Sequence, residues 1–187
     1  YSEHQFLFIW DSIAATSSEK EIESDFNPQS TMSVKPRIFG KAFPKLTIPL
    51  ADGQHTLLMI NQLKTNINVQ NPMAALVEPF IAPGGKAIEY FCSLRIWLTK
   101  RKSKASYVTD NTGLRIGSEV KCSLKKSRFG TEGRECTFKI LWAGDAAIQD
   151  EESWLIALKA SKTDKLKLAG AWYTLVGEKK EYKFQGK

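Results

Sequence analysis

Phe6-Leu7-Phe8-Ile9-Trp10 is an unbroken apolar run that stops abruptly at Asp11-Ser12. Runs of this kind, with no polar alternation, belong to strands buried on both faces of a parallel sheet. A second such strand, His55-Thr56-Leu57-Leu58-Met59-Ile60, closes in Asn61-Gln62. Between the two, residues 16–33 turn polar and carry Asn27-Pro28, which predicts a long loop. A helix is predicted from about Val34, with Pro36 acceptable in its first turn, where the missing N–H would have no intrahelical partner. Pro44 and Pro49 should kink or end that helix.

Residues 63–83 run without clear periodicity, and loops of such length inside a compact domain are usually functional or disordered. Gly84-Gly85 then opens a short helix through Phe91. Strands are predicted around residues 93–98, 118–124 and 136–142, and a helix over roughly 146–160, interrupted before Leu166. Residues 171–175 and 181–184 read as a hairpin turned at Gly177-Glu178. There is no internal repeat and no low-complexity tract. The pattern is α/β: parallel strands first, then a more antiparallel portion. Ligands of such sheets sit at the carboxyl ends of the strands. Asp11, Ser12, Asn61, Gln62 and the Gly84-Gly85 turn all fall at such ends or just after them.

Composition adds bounds rather than direction. With 42% apolar and 25% charged residues, the 187-residue chain has the make-up of one soluble globular domain. No apolar run approaches a membrane span, so no membrane partner is expected. Tyr1 to Gln5 lack the basic-then-apolar order of a signal peptide. The chain opens almost directly into a strand, so its N-terminus is read as a cut end. Cys92, Cys122 and Cys136 match no zinc or redox spacing and are expected to be small buried hydrophobes in a reducing cytoplasm. His4 and His55 are isolated.

Charge changes the picture more. The net charge is +7, and from Leu94 to Arg128 there are ten basic residues against two acidic ones. Lys100, Arg101, Lys102 and Lys104, then Lys121, Lys125, Lys126 and Arg128, form the cluster. Such a face suits nucleic acid phosphates or a nucleotide on an adjacent subunit; a solvated strand face with a basic hairpin is the plainer alternative.

Three features carry candidate chemistry. An apolar strand ending in Asp11 can hold a magnesium ion, or its water shell, beside phosphates, with Ser12 adding a hydrogen bond. A turn or cap role is the alternative for both. Gln62 is a neutral amide able to sense a γ-phosphate, or else a satisfied structural amide. Gly84-Gly85-Lys86 allows close backbone approach to a neighbour, or simply turns a loop into a helix.

Taken in order, these segments resemble the RecA family of recombinases, and the divergent loops fit its bacteriophage branch (UvsX-like). FLFIWDSIAAT (residues 6–16) is similar to the family's Walker B strand and the residues after it. TLLMINQLK (56–64) is similar to the strand ending in the Asn-Gln pair, and PGGKAIEYFCSLR (83–95) to the Gly-Gly helix and next strand. GSEVKCSLKKSR (117–128), GAWY (170–173) and the Gly177-Glu178-Lys179 turn resemble the later core.

The resemblance implies a partial RecA-like P-loop NTPase fold over residues 1–187, the C-terminal portion of an ATPase core, beginning at the Walker B strand. It implies ATP and Mg2+ as cofactors, with Asp11 and Ser12 at the metal and nucleotide. It makes Gln62 the catalytic-site link from γ-phosphate to the DNA-binding loop. Lys126 and Arg128 match a basic pair that reaches a neighbour's ATP, and Trp142 an aromatic near the adenine. Residues 17–33 and 63–83 match the two loops lining the DNA channel, with Met73 and Phe80 as wedges and Gly84, Gly85 and Lys86 among the DNA-binding positions. These loops are poor in basic side chains, and 17–33 carries Glu19, Glu21, Glu23 and Asp25. DNA binding there would rest on backbone N–H groups and apolar wedges.

The implied partners are single-stranded and double-stranded DNA and further copies in a filament, in the cytoplasm of a bacterial or phage-infected cell. The implied activity is DNA-dependent ATP hydrolysis coupled to homologous recombination and repair. No G-x-x-x-x-G-K-[ST] occurs in the 187 residues, so the chain alone is expected to be inactive. A RecA-fold helicase motor, or a degenerate domain that binds DNA or modulates filaments without catalysis, are the competing readings.

Overall fold

Leu7–Asp11 (β1) and Thr56–Ile60 (β2) pair in parallel, with Leu7 opposite Thr56 and Asp11 opposite Ile60. In this computed structural model the described residues are 4–25, 33–66, 73, 79–100, 103–142 and 147–185. They divide into two units, residues 1–92 and 93–187. The architecture is α/β, a parallel pair followed by antiparallel sheets, consistent with a partial RecA-like fold.

In the first unit the parallel pairing agrees with the sequence, but the burial does not. Leu7, Phe8 and Ile9 are about half exposed rather than buried on both faces. Only the Asp11 end is covered: Ile13, Phe39, Phe43 and Ile88 form the core, with Trp10, Met59, Ala87 and Cys92 packed against it. Phe39 stacks on Phe43 at 5.4 Å and meets Trp10 edge-on at 5.8 Å.

Helix α2 (Val34–Asp52) supplies both phenylalanines and continues past Pro44 and Pro49, so neither proline ends it. Each proline removes one intrahelical N–H donor, at a cost of about 3 kcal/mol in an isolated helix. Here Phe39 and Phe43 anchor the helix to the core. Pro36 sits in the first turn, as expected.

The predicted loop over 16–33 contains a short helix, α1 (Glu19–Glu23), and residues 26–32 lie outside the described residues. Its N-terminus is a capping box: the Ser18 hydroxyl accepts the Glu21 N–H, and the Glu21 carboxylate accepts the Ser18 N–H at 2.7 Å. That backbone bond, opposed by desolvation and aided by the Ser18 hydroxyl and Lys35, holds the Glu21 carboxyl below the ordinary glutamate range. A depressed carboxyl stabilises above its ordinary pKa, and the effect is lost as pH falls through the lowered value. Amide protection across 19–23, taken relative to the intrinsic exchange rate at each pH, should therefore fall on acidification through and below the usual glutamate range. Ser18→Ala should cost about 0.5–2 kcal/mol of local helix stability. Protection independent of pH would exclude the Glu21 contact as its source.

Between β2 and the next helix, Lys64–Thr65 (β3) pairs antiparallel with Phe80–Ile81 (β4), and the Asn66 N–H bonds to the Pro79 carbonyl. The aperiodic segment is thus clamped at its base; residues 67–72 and 74–78 lie outside the described residues. Helix α3 (Lys86–Phe91) follows Gly84-Gly85, as predicted.

The second unit is antiparallel. Leu94–Lys100 (β5), Arg115–Ser127 (β7) and Glu135–Leu141 (β8) form its main sheet, with Tyr107–Thr109 (β6) on β7 and Ile148–Gln149 (β9) on β8. Strand β9 corrects the helix expected from about 146: the Ala147 carbonyl and Ile148 pair with β8, and helix α4 is only Glu151–Ser161. The predicted hairpin is present as Trp172–Val176 (β11) and Glu181–Gln185 (β12), and Leu166–Ala169 (β10) adds a third strand. Tyr173 and Phe184 stack across it at 5.5 Å. No helix among the described residues is long and apolar enough to cross a membrane.

The cysteines differ from expectation. Cys136 is exposed, and Cys92 and Cys122 are half-buried. The sheet that carries Cys122 and Cys136 is not fully covered on their face.

Candidate functional site

Parallel pairing in register places the ends of β1 and β2 side by side, and the candidate polar residues of the first unit cluster there. Asp11 is exposed at the last position of β1. The Asp11–Ser12 peptide is cis, and the Ile13 N–H bonds to the Ile60 carbonyl. Ser12 is buried; its hydroxyl accepts the Ala15 N–H at 3.3 Å and its carbonyl accepts the Thr16 N–H and hydroxyl. The Trp10 indole N–H donates to the Thr16 hydroxyl at 2.8 Å, closing the turn over the strand end. The sequence singled out neither Thr16 nor this turn, since its pieces are local bonds with no motif.

At the end of β2, Asn61 ties two predicted elements together. Its amide donates to the Pro83 carbonyl at 2.8 Å, while its side-chain oxygen accepts the Gln62 N–H at 2.9 Å. Asn61 thereby holds the Gly84-Gly85 turn against the strand end and leaves the Gln62 side chain exposed. Gly84 (φ 104°) and Gly85 (φ 80°) both occupy conformations that disfavour a side chain. Lys86 is exposed at the first position of α3. Phe80 is half-buried in β4, and Met73 is 68% exposed between segments outside the described residues.

The donor set at these strand ends suits a hard cation with most of its water retained. A single exposed carboxylate and nearby hydroxyls and amides match how magnesium is held with phosphates. No cluster of three or more metal-ligating side chains occurs among the described residues.

In the second unit the basic cluster is partly neutralised by residues outside the stretch that defines it. Lys121 pairs with Glu135 at 2.7 Å, and Ser123 also donates to Glu135. Those two partners, Lys121 first, hold the Glu135 carboxyl below the ordinary range. Arg95 and Lys125 lie over the Trp97 ring at 5.3 and 5.2 Å. Arg101 and Lys102 fall outside the described residues.

A β-bulge at Arg95/Ile96 shifts the register of β7, pairing Ile96 with Leu124 and Arg95 with Lys126. Lys126 therefore shares a face with Arg95 instead of continuing the Leu124 row. The Arg128 N–H bonds to the Ser93 carbonyl, fixing the strand just beyond, with the Arg128 side chain exposed. Trp142 is 59% exposed and has the Arg115 guanidinium 4.9 Å and the Lys100 ammonium 5.8 Å from its ring. Arg115 also lies 3.7 Å over Tyr107. The sequence did not single out Arg115 or Tyr107, which only strand pairing brings beside Trp142.

Comparison with known proteins gives one consistent answer. Residues 2–146 match the family model described as the RecA N-terminal domain. Proteins called Protein RecA from Leptospira biflexa and Mannheimia haemolytica are each 28% identical over 173 residues, 92% of this chain and 41% and 43% of theirs. The one from Francisella philomiragia is 27% identical over the same length, 44% of its own. The chain thus spans less than half the length of the curated relatives it matches. A family model covering most of the chain, on a fold with this strand order, shows that the protein belongs to the RecA family.

Proposed function

We propose that this chain is part of an ATP-dependent homologous-recombination protein that forms filaments on single-stranded DNA and promotes strand exchange with double-stranded DNA. One observation carries the reading: β1 and β2 end in register, Asp11 opposite Ile60 with Asn61-Gln62 next in the chain, and Asn61 ties that edge to the Gly84-Gly85 turn. A group sensing phosphate at this edge is one hydrogen bond from the segment leading out to Met73 and Phe80.

On this reading residues 1–187 form one portion of an ATPase core, and ATP with Mg2+ supplies the hydrolysable phosphoanhydride and its charge neutralisation. Asp11 holds the hydrated ion, and Ser12 shapes the turn beside it. Gln62 orients toward the terminal phosphate and, through its backbone bond to Asn61, biases residues 63–83 toward a DNA-binding arrangement. Met73 and Phe80 meet bases as apolar wedges, with Gly84, Gly85 and Lys86 at the backbone. Lys126 and Arg128 face a neighbouring copy's nucleotide, and Trp142 its adenine. The divergent segment 63–83 supports placement in the bacteriophage branch.

The test is Gln62→Ala in the natural full-length polypeptide, measured by fluorescence anisotropy on labelled single-stranded DNA with and without ATP. Weak DNA binding should persist while its stimulation by ATP disappears. Stimulation equal to wild type would reject the assignment of Gln62 and the route through Asn61.

A further inference from the structure

We infer that Cys122 and Cys136 form a cross-strand dithiol which two-electron oxidants such as hydrogen peroxide close into a disulfide across the β7–β8 pair. The two residues are direct partners in the antiparallel register. They lie on one face of the sheet, beside Leu98 opposite Cys122 on β5 and their neighbours Val120, Leu124 and Phe138. Ladder bonds from the Trp142 N–H to the Ile116 carbonyl and from the Leu124 N–H to the Arg134 carbonyl place Cys122–Cys136 among the hydrogen-bonded pairs. Partners of that type have Cα atoms about 5.5 Å apart, inside the range of about 4.4–6.8 Å that a disulfide spans. Their Cβ atoms need approach by only about 1 Å. Cys92 lies at the end of α3, in the first unit.

The two thiols have unequal environments. Cys136 is exposed and Cys122 half-buried. Desolvation first, and then Cys136 itself, pushes the Cys122 thiol above its ordinary range. Cys136 is therefore the entry point. Its thiolate attacks one peroxide oxygen: an S–O bond forms, the O–O bond breaks, and the departing hydroxide takes a proton to become water. Cys122 then loses its proton and attacks the Cys136 sulfur; the S–S bond forms, the S–O bond breaks, and a second water leaves. Two thiols have lost two electrons and two protons, and peroxide has become two waters. Because the resolving thiol is poorly ionised at neutral pH, the second step should quicken as pH rises. The linkage ties β8 to the strand that leads to Lys126 and Arg128, four and six residues beyond Cys122.

The experiment treats the full chain with hydrogen peroxide, alkylates remaining thiols, and maps the non-reduced digest by mass spectrometry. The expected product joins the Cys122 and Cys136 peptides within one chain, two hydrogens lighter than the separate pair, with Cys92 alkylated. Cys92→Ser should form the same linkage at the same rate. Cys136 recovered as sulfinic acid, linked between chains or joined to Cys92, with Cys122 still alkylated, would overturn the inference. The wild-type map decides even where a cysteine variant does not fold.

Discussion

Phe39→Ala is expected to remove about 3–5 kcal/mol from the first unit, the usual loss for emptying a buried phenylalanine site. Phe39 is 6% exposed and lies at the centre of the small core, stacked on Phe43 and edge-on to Trp10. It also closes the space beside Gly84, where an added Cβ would meet its ring at 3.1 Å. The four buried apolar residues of this core leave little to compensate, since Leu7, Phe8 and Ile9 are half exposed. A domain's whole stability is about 5–15 kcal/mol. The substitution should therefore leave amides of β1 and β2 exchanging near unfolded rates, measured by hydrogen exchange, with Phe39→Leu intermediate. A Phe39→Ala chain that loses less than about 1 kcal/mol in urea titration would mean that the core is held elsewhere.

The second large effect is expected at Gly85. Its φ of 80° and ψ of −179° fall in a region essentially reserved for glycine. A Cβ there would also lie 2.9 Å from Cβ of Pro36, part of a rigid ring in the first turn of α2. Gly85→Ala should cost about 1–3 kcal/mol from the backbone alone, with the Pro36 contact adding to it by pushing α2 and α3 apart. Gly113 is the control: its φ is 84°, but an added Cβ meets nothing within 4 Å. Gly113→Ala should cost only the backbone penalty, about 1–2 kcal/mol. Thermal unfolding of the two variants separates the effects. A Gly85→Ala loss no greater than the backbone penalty of about 1–3 kcal/mol would show that the Pro36 contact contributes nothing.

Particular residues show why some of the site was readable and some was not. The apolar runs ending in Asp11 and in Asn61-Gln62 marked two parallel strands, because continuous hydrophobicity and an abrupt polar stop are local signals. Gly84-Gly85 before a helix was equally local. The capping box at Ser18 and Glu21 was present in the sequence as S-x-x-E, yet the polar composition around it suggested only a loop. Pro44 and Pro49 do not end α2 although their intrinsic penalty is real, because Phe39 and Phe43 anchor the helix to the core. The basic cluster was counted over a stretch that stops before Glu135, the residue that neutralises Lys121 across the sheet.

Sequence alone determined the α/β class, the succession of parallel then antiparallel strands, and which polar residues stand at strand ends. Those properties come from short-range alternation, turn chemistry and the chemistry of single side chains. The tertiary structure decided the register of β1 on β2, the Asn61 bridge to Pro83, the bulge that carries Lys126 onto the Arg95 face, and the meeting of Cys122 with Cys136. Each of these joins residues far apart in the chain, and a one-residue slip in pairing would exchange the faces of every side chain involved. No local pattern encodes such a choice, because it is made by the summed packing and hydrogen bonding of whole strands.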